Sequence, residues 1–400
     1  MKLLIVSVVS PYPAFQGSQL RLSAVLERLS KSHDIWFLGF TKSQSNPSGQ
    51  NDSLERLCKS FEIVRVGKNQ RLRHAFQAFV SGTPVSIGIW KNERMRNLIL
   101  DYRSQIDFNA VFLFDVKMTA FMREFEGLDL YIDLDVSYSR YFERVAWYHK
   151  GMKRAFFRAE SARMRAREFS AIRVAKKCFI SSKVDRKVFP PELRKKIYLL
   201  PNVIDVERYP YSSKTPTNNR IVFTGKFSYL PNIDAARFFA RAIFPLVRKE
   251  VNDATFWIVG TDPSPEIRRL HDGKIIFVTG FVEEIESYLK TASVFVCPLR
   301  LGSGTRLKIL EAMAMGVPVV TTRIGCEGLA IENGVHAIVE DDTENFARAV
   351  VKVLRREIDI LSMKEKARAY VESNHDKRKL EIILDPPSPI LCFPCRVKGS

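Results

Sequence analysis

A chain of 400 residues exceeds what one hydrophobic core usually serves, so two domains are expected. Its 46% hydrophobic and 27% charged content suits a soluble globular enzyme, and no apolar run reaches the ~18–20 residues of a membrane helix, which excludes a helical membrane-spanning protein. The formal charge of +19 is uneven: residues 1–200 carry 35 Lys and Arg against 19 Asp and Glu, and residues 201–400 carry 28 against 25. A basic half of this kind attracts an anionic membrane, nucleic acid or an acidic substrate, unless it is simply a solvated face.

The opening apolar run, residues 3–9, is short and is broken by Pro11 and Pro13 without a small-residue cleavage pattern, so it reads as a buried first strand rather than an export signal. Six cysteines in a chain of this length outline no disulfide framework, and a reducing cytoplasm is the expected setting. Cys392 and Cys395 form a lone C-x-x-C without a second ligand pair, so no metal site is expected.

In chain order, a loop through Gly17 follows the first strand, then a helix over 18–30 and a buried strand over 35–40. Further strands are expected at 63–66, 110–114, 130–132 and 177–181. Residues 150–177 hold ten Lys or Arg and two Glu, with Met152, Ala155, Phe156, Ala159, Ala162, Ala166 and Phe169 at helical spacing. This is a basic amphipathic helix whose apolar stripe is expected to pack inward, leaving its cations free to meet phospholipid. The segment 200–211, with Pro201, Asn202 and Pro210, fits a domain boundary. Beyond it, strands at 221–224, 255–259, 275–279, 294–298 and 318–321 alternate with helices near 232–248, 265–270, 285–291, 305–315 and 343–354. The pattern predicts an α/β chain of two doubly wound parallel sheets that share a central cleft at their strand carboxyl ends. The domains are 1–200 and 201–358, with a helix over 359–385 returning toward the first domain and a tail over 386–400.

The chemistry concentrates after the strand at 294–298. Gly302 and Gly304 let backbone N–H groups approach an anion, and a helix expected from Thr305 adds a partial positive charge. Arg300, Arg306 and Lys308 surround the same point, so GSGTR (302–306) reads as a diphosphate cradle without a Walker sequence; the alternative is an ordinary strand-to-helix turn. Glu311, too deep in the helix to cap it, is either a carboxylate for ribose hydroxyls or an exposed helix former. In the first half, Asp133 and Asp135 lie at i and i+2 on a strand and so share one face, suited to binding hydroxyl groups, or serve as cap and structural partner. Asp115 has the same standing. His74 and His149 lie in no motif and are read as surface histidines.

The run KILEAMAMGVPVVT (308–321) resembles the donor-site motif of family 4 (group 1) glycosyltransferases of the GT-B fold. FTGKFSYLPNIDA (223–235), FWIVG (256–260), VTGFVEEIESYL (278–289) and EGL (327–329) fall in that family's order, and the likeness covers roughly residues 195–375. It implies two Rossmann-like domains and retaining transfer, of hexosyl type, from a nucleotide sugar, with no metal and no cofactor beyond the donor. Glu311 corresponds to the second Glu of the family's E-x7-E motif, and Ser303 stands where the first would fall. Carried over, Gly225, Gly302, Ser303, Gly304, Thr305 and Glu311 bind the donor, and Gly17 admits it to the first domain, with Arg21 one turn into the helix. Where the family places an Arg and a Lys after the first strand of the second domain to clamp the diphosphate, only Lys226 is present, with Arg306 and Lys308 to supply the missing charge; Asp135 is the residue read as serving the acceptor. The implied acceptor is a saccharide or lipid-linked sugar in polysaccharide or glycoconjugate synthesis, in the cytoplasm or at the inner face of the membrane. Two rival readings stand beside it. A sugar-nucleotide epimerase needs several acid/base groups, and none stands out as a set. A non-catalytic basic protein binding membrane or nucleic acid leaves the second half without a purpose, and no nucleic-acid module is present.

Overall fold

A computed structural model describes residues 1–14, 17–41 and 50–384; Cys392 and Cys395 lie outside them. Two units emerge, one of residues 1–203 with 378–400 and one of residues 204–377.

The first unit is built on seven parallel strands in the order β3-β2-β1-β4-β5-β6-β7. They are β1 (Lys2–Ser7), β2 (Asp34–Thr41), β3 (Ser60–Arg65), β4 (Ala110–Phe114), β5 (Asp129–Asp135), β6 (Lys177–Ile180) and β7 (Ile197–Leu199). Successive residues of β1 point to opposite faces. Leu4 and Val6 therefore join the core under one face, and Leu3 and Ile5 the core under the other. Burial on both faces is why the strand reads as an unbroken apolar run. The second unit repeats the plan with six parallel strands in the order β10-β9-β8-β11-β12-β13. These are β8 (Arg220–Thr224), β9 (Thr255–Val259), β10 (Ile276–Gly280), β11 (Val294–Cys297), β12 (Val319–Thr321) and β13 (Ile338–Val339). In each sheet the order reverses once, between β1 and β4 and between β8 and β11, and such a reversal opens a crevice for ligands beyond the strand carboxyl ends.

Three expectations change. The helix expected over 359–385 is two: Ile360–His375 belongs to the second unit, and only Arg378–Leu384 belongs to the first, where Leu380 and Leu384 enter the core beside Leu22 and Leu26. The helix expected from Thr305 spans Leu307–Ala314. The basic helix spans Gly151–Val174 with its expected stripe turned outward: Met152, Ala155, Phe156, Ala159, Ala162 and Ala166 are exposed. Its inner face carries Glu160, Ser161, Met164, Glu168, Ala171 and Ile172 instead. The reason is capping at a distance. Glu160 accepts from the N–H groups of Val85 and Ser86, and Glu168 from those of Tyr138 and Ser139, so each glutamate closes the amino end of another helix. Two buried carboxylates thus set the helix's rotation against its apolar pattern. Burial pushes the Glu168 carboxyl up to about 7.

Candidate active site

In the second unit the two strands flanking the crevice, β8 and β11, deliver the loops that carry the predicted donor residues. Gly225 follows β8, and a Cβ there would fall 2.7 Å from both Lys308 Nζ and Asn232 Nδ2, so the backbone and the cation share one small space. Gly302 follows β11 at φ +135°, and a Cβ there would meet Arg306 Nη2 at 2.5 Å. At Gly302 the positive φ itself favours glycine, and at both positions a Cβ would displace the end of a cationic side chain.

Lys308 is the centre of this arrangement. Its ammonium donates to the Thr224 carbonyl and to Asn232 Oδ1, the latter at 2.9 Å, and lies 4.4 Å from the Phe223 ring centroid. Among the described residues no carboxylate forms an ion pair with it, and burial pushes its pKa down to about 8. Lys308 is thus a half-buried cation held by neutral acceptors. Arg306 sits just before the helix in an extended conformation and donates back to the carbonyls of Ser303 and Gly304. That loop geometry delays the helix to Leu307 and leaves Arg306 Nη2 buried without a protein partner. Ser303 and Thr305 are buried in the same loop. The other cations lie farther out. Arg300 makes a two-pronged pair with Asp234, at 3.0 and 2.5 Å, and covers the Phe238 ring, so it braces the loop against the helix Leu230–Phe238. Lys226 is about two-fifths exposed and pairs with Asp262 at 3.1 Å.

Glu311 is half-buried rather than a surface residue. Tyr209 donates to its Oε1 at 3.3 Å, and burial raises its pKa against the nearby Lys308 and Arg208. It is therefore a carboxylate with spare acceptor capacity close to the lysine. Asn232 and Tyr209 are the two site residues that motif reasoning passed over. Asn232 lies in the quoted FTGKFSYLPNIDA run, where its place in the first turn of a helix after the Gly-Lys loop was the available signal.

The first unit gathers a second group beyond β4 and β5. Asp133 and Asp135 do not act as a pair on one face, because the register slips between them and Asp135 takes φ +56°. Asp133 is fully buried and engaged two-pronged with Arg21, at 2.7 and 2.8 Å. Arg21 also donates to the Leu200 carbonyl and to Asn202 Oδ1, at 2.7 and 2.9 Å, so it ties the first helix to the sheet and is not aimed at a donor phosphate. Asp135 is about one-quarter exposed, and its Oδ1 has no hydrogen-bond partner. Burial, with Arg21 opposing and Asp133 and Asp115 adding to it, pushes its pKa up to about 6. Asp115, at φ +81°, caps the following turn through the N–H of Lys117 and accepts from Lys117 Nζ and Tyr138 Oη at 2.7 and 2.8 Å. Gly17 is exposed at the first position of its helix. Among the described residues no cluster of three His, Cys, Asp or Glu side chains is placed to hold a metal ion.

Residues 218–356 match the family described as glycosyl transferases group 1. An uncharacterized 44.6 kDa protein in the cps region of Klebsiella pneumoniae is 24% identical over 95% of this chain and 97% of its own length. An Escherichia coli UDP-Gal:alpha-D-GlcNAc-diphosphoundecaprenol alpha-1,3-galactosyltransferase is 26% identical over 40% of this chain and 45% of its own. Among solved structures, TarM superposes with TM-score 0.66 at 11% identity over 96% of this chain and 98% of its own, showing the fold. Anabaena HepE in complex with UDP does so with TM-score 0.62 at 12% identity over the same shares. Residues 218–356 thus resemble a group 1 glycosyltransferase domain, and the chain as a whole takes the GT-B fold.

Proposed function

We propose that the chain is a retaining hexosyltransferase that moves a sugar from a UDP-sugar to a saccharide or lipid-linked acceptor in surface polysaccharide or glycoconjugate assembly. The observation that carries the reading is Lys308, half-buried among neutral acceptors beside the Gly225 and Gly302 loops. A diphosphate supplies the charge that this lysine lacks. In this reading the backbone of Gly302, Ser303, Gly304 and Thr305 lies along the phosphates, Arg306 and Lys226 add charge, and Glu311 accepts from the ribose. Asp135 holds the acceptor hydroxyl, and Gly17 leaves room for the donor. Uridine as the base is supported by the HepE complexes with UDP and UDP-glucose and by the galactosyltransferase's UDP-Gal donor. A lipid-linked acceptor is supported by the same relative, and polysaccharide assembly by the cps-region relative.

Transfer then breaks the bond from the anomeric carbon to the β-phosphate oxygen and forms one to the acceptor oxygen on the same face. The acceptor proton passes to the departing phosphate. The protein's contribution is fixed positive charge where negative charge develops, which needs no reorganisation at the moment of reaction. No group beyond the donor is required for these steps.

Incubation with radiolabelled UDP-, GDP- and ADP-sugars and a membrane lipid extract tests the reading. Label moving from a UDP-sugar into lipid or saccharide, with the α-configuration kept by proton NMR, is the expected result. An altered free donor points to the epimerase, and an untouched one to a basic binding protein.

A further inference from the structure

In the first unit the helix Lys68–Val80 carries Leu72, Phe76, Phe79 and Val80 at i, i+4, i+7 and i+8, the spacing of a stripe that normally faces a core. Here it faces out, with Leu72 71%, Phe76 70% and Val80 70% exposed. The opposite side holds the helix in place: Ala78 is buried, and its Cβ stands 2.2 Å from where a Cβ on Gly88 would be. Helix Gly151–Val174 does the same, because its buried Glu160 and Glu168 turn Met152, at 90% exposure, and Phe156 outward. The two outward stripes meet. Phe79 and Phe156 stack at 6.4 Å, and Arg163 lies 5.6 Å from the Phe79 ring. Trp147, 72% exposed at the end of the preceding helix Tyr138–Tyr148, sits under Arg154 at 5.7 Å. A hollow at the start of helix Gly151–Val174 is lined by His149, Met152, Lys153, Phe156 and Phe157.

Charge selects the occupant. Residues 68–80 and 144–159 together contain eight Lys or Arg and not one Asp or Glu. We propose that this face docks the chain on an anionic lipid bilayer, with Leu72, Phe76, Trp147 and Met152 entering the headgroup boundary and the surrounding Lys and Arg meeting lipid phosphates. A second copy of the same face would set eight cations against eight. A nucleic acid would engage the cations but has no use for aliphatic side chains such as Leu72, Val80 and Met152. The bilayer boundary takes both, burying apolar tips while long basic side chains reach the headgroups. The proposal deepens the reading of a lipid-linked acceptor by naming the surface that brings the enzyme to it. It rests on that reading only for its purpose, since every residue involved lies outside the donor site.

Flotation of the full chain with phosphatidylcholine vesicles, with and without about 30% phosphatidylglycerol, tests it. Binding is expected on the anionic vesicles, about tenfold weaker on the neutral ones, and weaker again as salt rises from about 0.1 to 0.5 M. The variant Leu72→Ser/Phe76→Ser/Met152→Ser removes no charge and replaces only exposed side chains. It should lose about tenfold or more in vesicle affinity while keeping wild-type UDP binding, which reports an intact second unit. Its far-ultraviolet circular dichroism should match the wild type, which reports the first. Trp147 emission should shift to the blue on binding and be quenched by brominated lipid. A wild type that ignores anionic vesicles overturns the proposal, as does a triple variant that floats equally well. A concentration-dependent dimer that the triple variant abolishes, without vesicle binding, overturns it in favour of self-association. Failure of vesicle binding alongside intact UDP-sugar transfer would separate this proposal from the proposed function.

Discussion

Lys308 should make nucleotide affinity depend on pH in a direction opposite to its effect on stability. Burial holds its folded pKa near 8, below the ordinary value near 10.5. A bound diphosphate would supply the missing counter-charge and return that pKa toward the ordinary range, so the bound lysine stays protonated where the free one does not. Between pH 7 and 9, where the UDP diphosphate is about nine-tenths or more ionised, the protonated fraction of the free lysine falls about tenfold, and the dissociation constant should rise about tenfold with it. Isothermal titration at pH 9 in two buffers of different ionisation enthalpy should register uptake of about one proton. The sign for stability follows from the same numbers. A lysine whose folded pKa is depressed binds fewer protons in the folded than in the unfolded chain between about pH 8 and 10.4, so the unliganded protein gains stability as pH rises through that window. Lys308→Met should weaken UDP binding at pH 7 by about 1.5–3 kcal/mol, the worth of a charge-assisted hydrogen bond, and flatten the pH profile. A wild-type dissociation constant that does not change between pH 7 and 9 would refute the reasoning, as would a Lys308→Met variant with the wild-type slope.

Three further perturbations follow from the same geometry. Asp135 has a folded pKa raised to about 6, so it withdraws stability as pH rises from about 4 to 6 and the loss persists above. Asp135→Asn should therefore raise the urea midpoint at pH 7 by the equivalent of about 1–2 kcal/mol while lowering transfer; a destabilised variant with full activity would contradict both roles. Arg21→Met leaves Asp133 buried without its partner and should cost about 3–5 kcal/mol in equilibrium unfolding, and a change under about 1 kcal/mol would deny the ion pair its structural role. Gly302→Ala puts a Cβ at φ +135° against Arg306, and local strain of about 1–3 kcal/mol should weaken UDP binding with the circular dichroism unchanged. Wild-type UDP affinity in that variant would count against the loop's part in the donor site.

Much of the architecture was legible because parallel strands buried on both faces leave continuous apolar runs. The strands at 110–114 and 255–259 were read to the residue. Those passed over, Ile197–Leu199 and Ile338–Val339, are three and two residues long and leave too short a run to recognise. Helices were harder wherever the buried face is polar. The basic helix was placed along the chain but turned the wrong way, because Glu160 and Glu168 are buried to cap helices more than 25 residues earlier, and local periodicity carries no trace of such partners. The helix Lys68–Val80 has an apolar stripe that its fold leaves in water. At the candidate site, glycines and cations named the loop, but sequence alone could not rank Arg300, Arg306 and Lys308. The ranking comes from partners: Asp234 occupies Arg300, the carbonyls of its own loop hold Arg306, and Lys308 reaches across to Thr224 and Asn232 on the loop after β8. Asp133 and Asp135 looked like a pair from their spacing, and a one-residue slip in the strand gives them separate tasks.

The central claim is that the loops after β8 and β11 hold a nucleoside diphosphate around Lys308. A crystal structure of the full chain with UDP tests it most directly. The diphosphate is expected within hydrogen-bonding reach of Lys308 Nζ and the Gly302–Thr305 backbone, with the ribose hydroxyls donating to Glu311. Diphosphate density elsewhere, with Lys308 still bound only to Thr224 and Asn232, would contradict it.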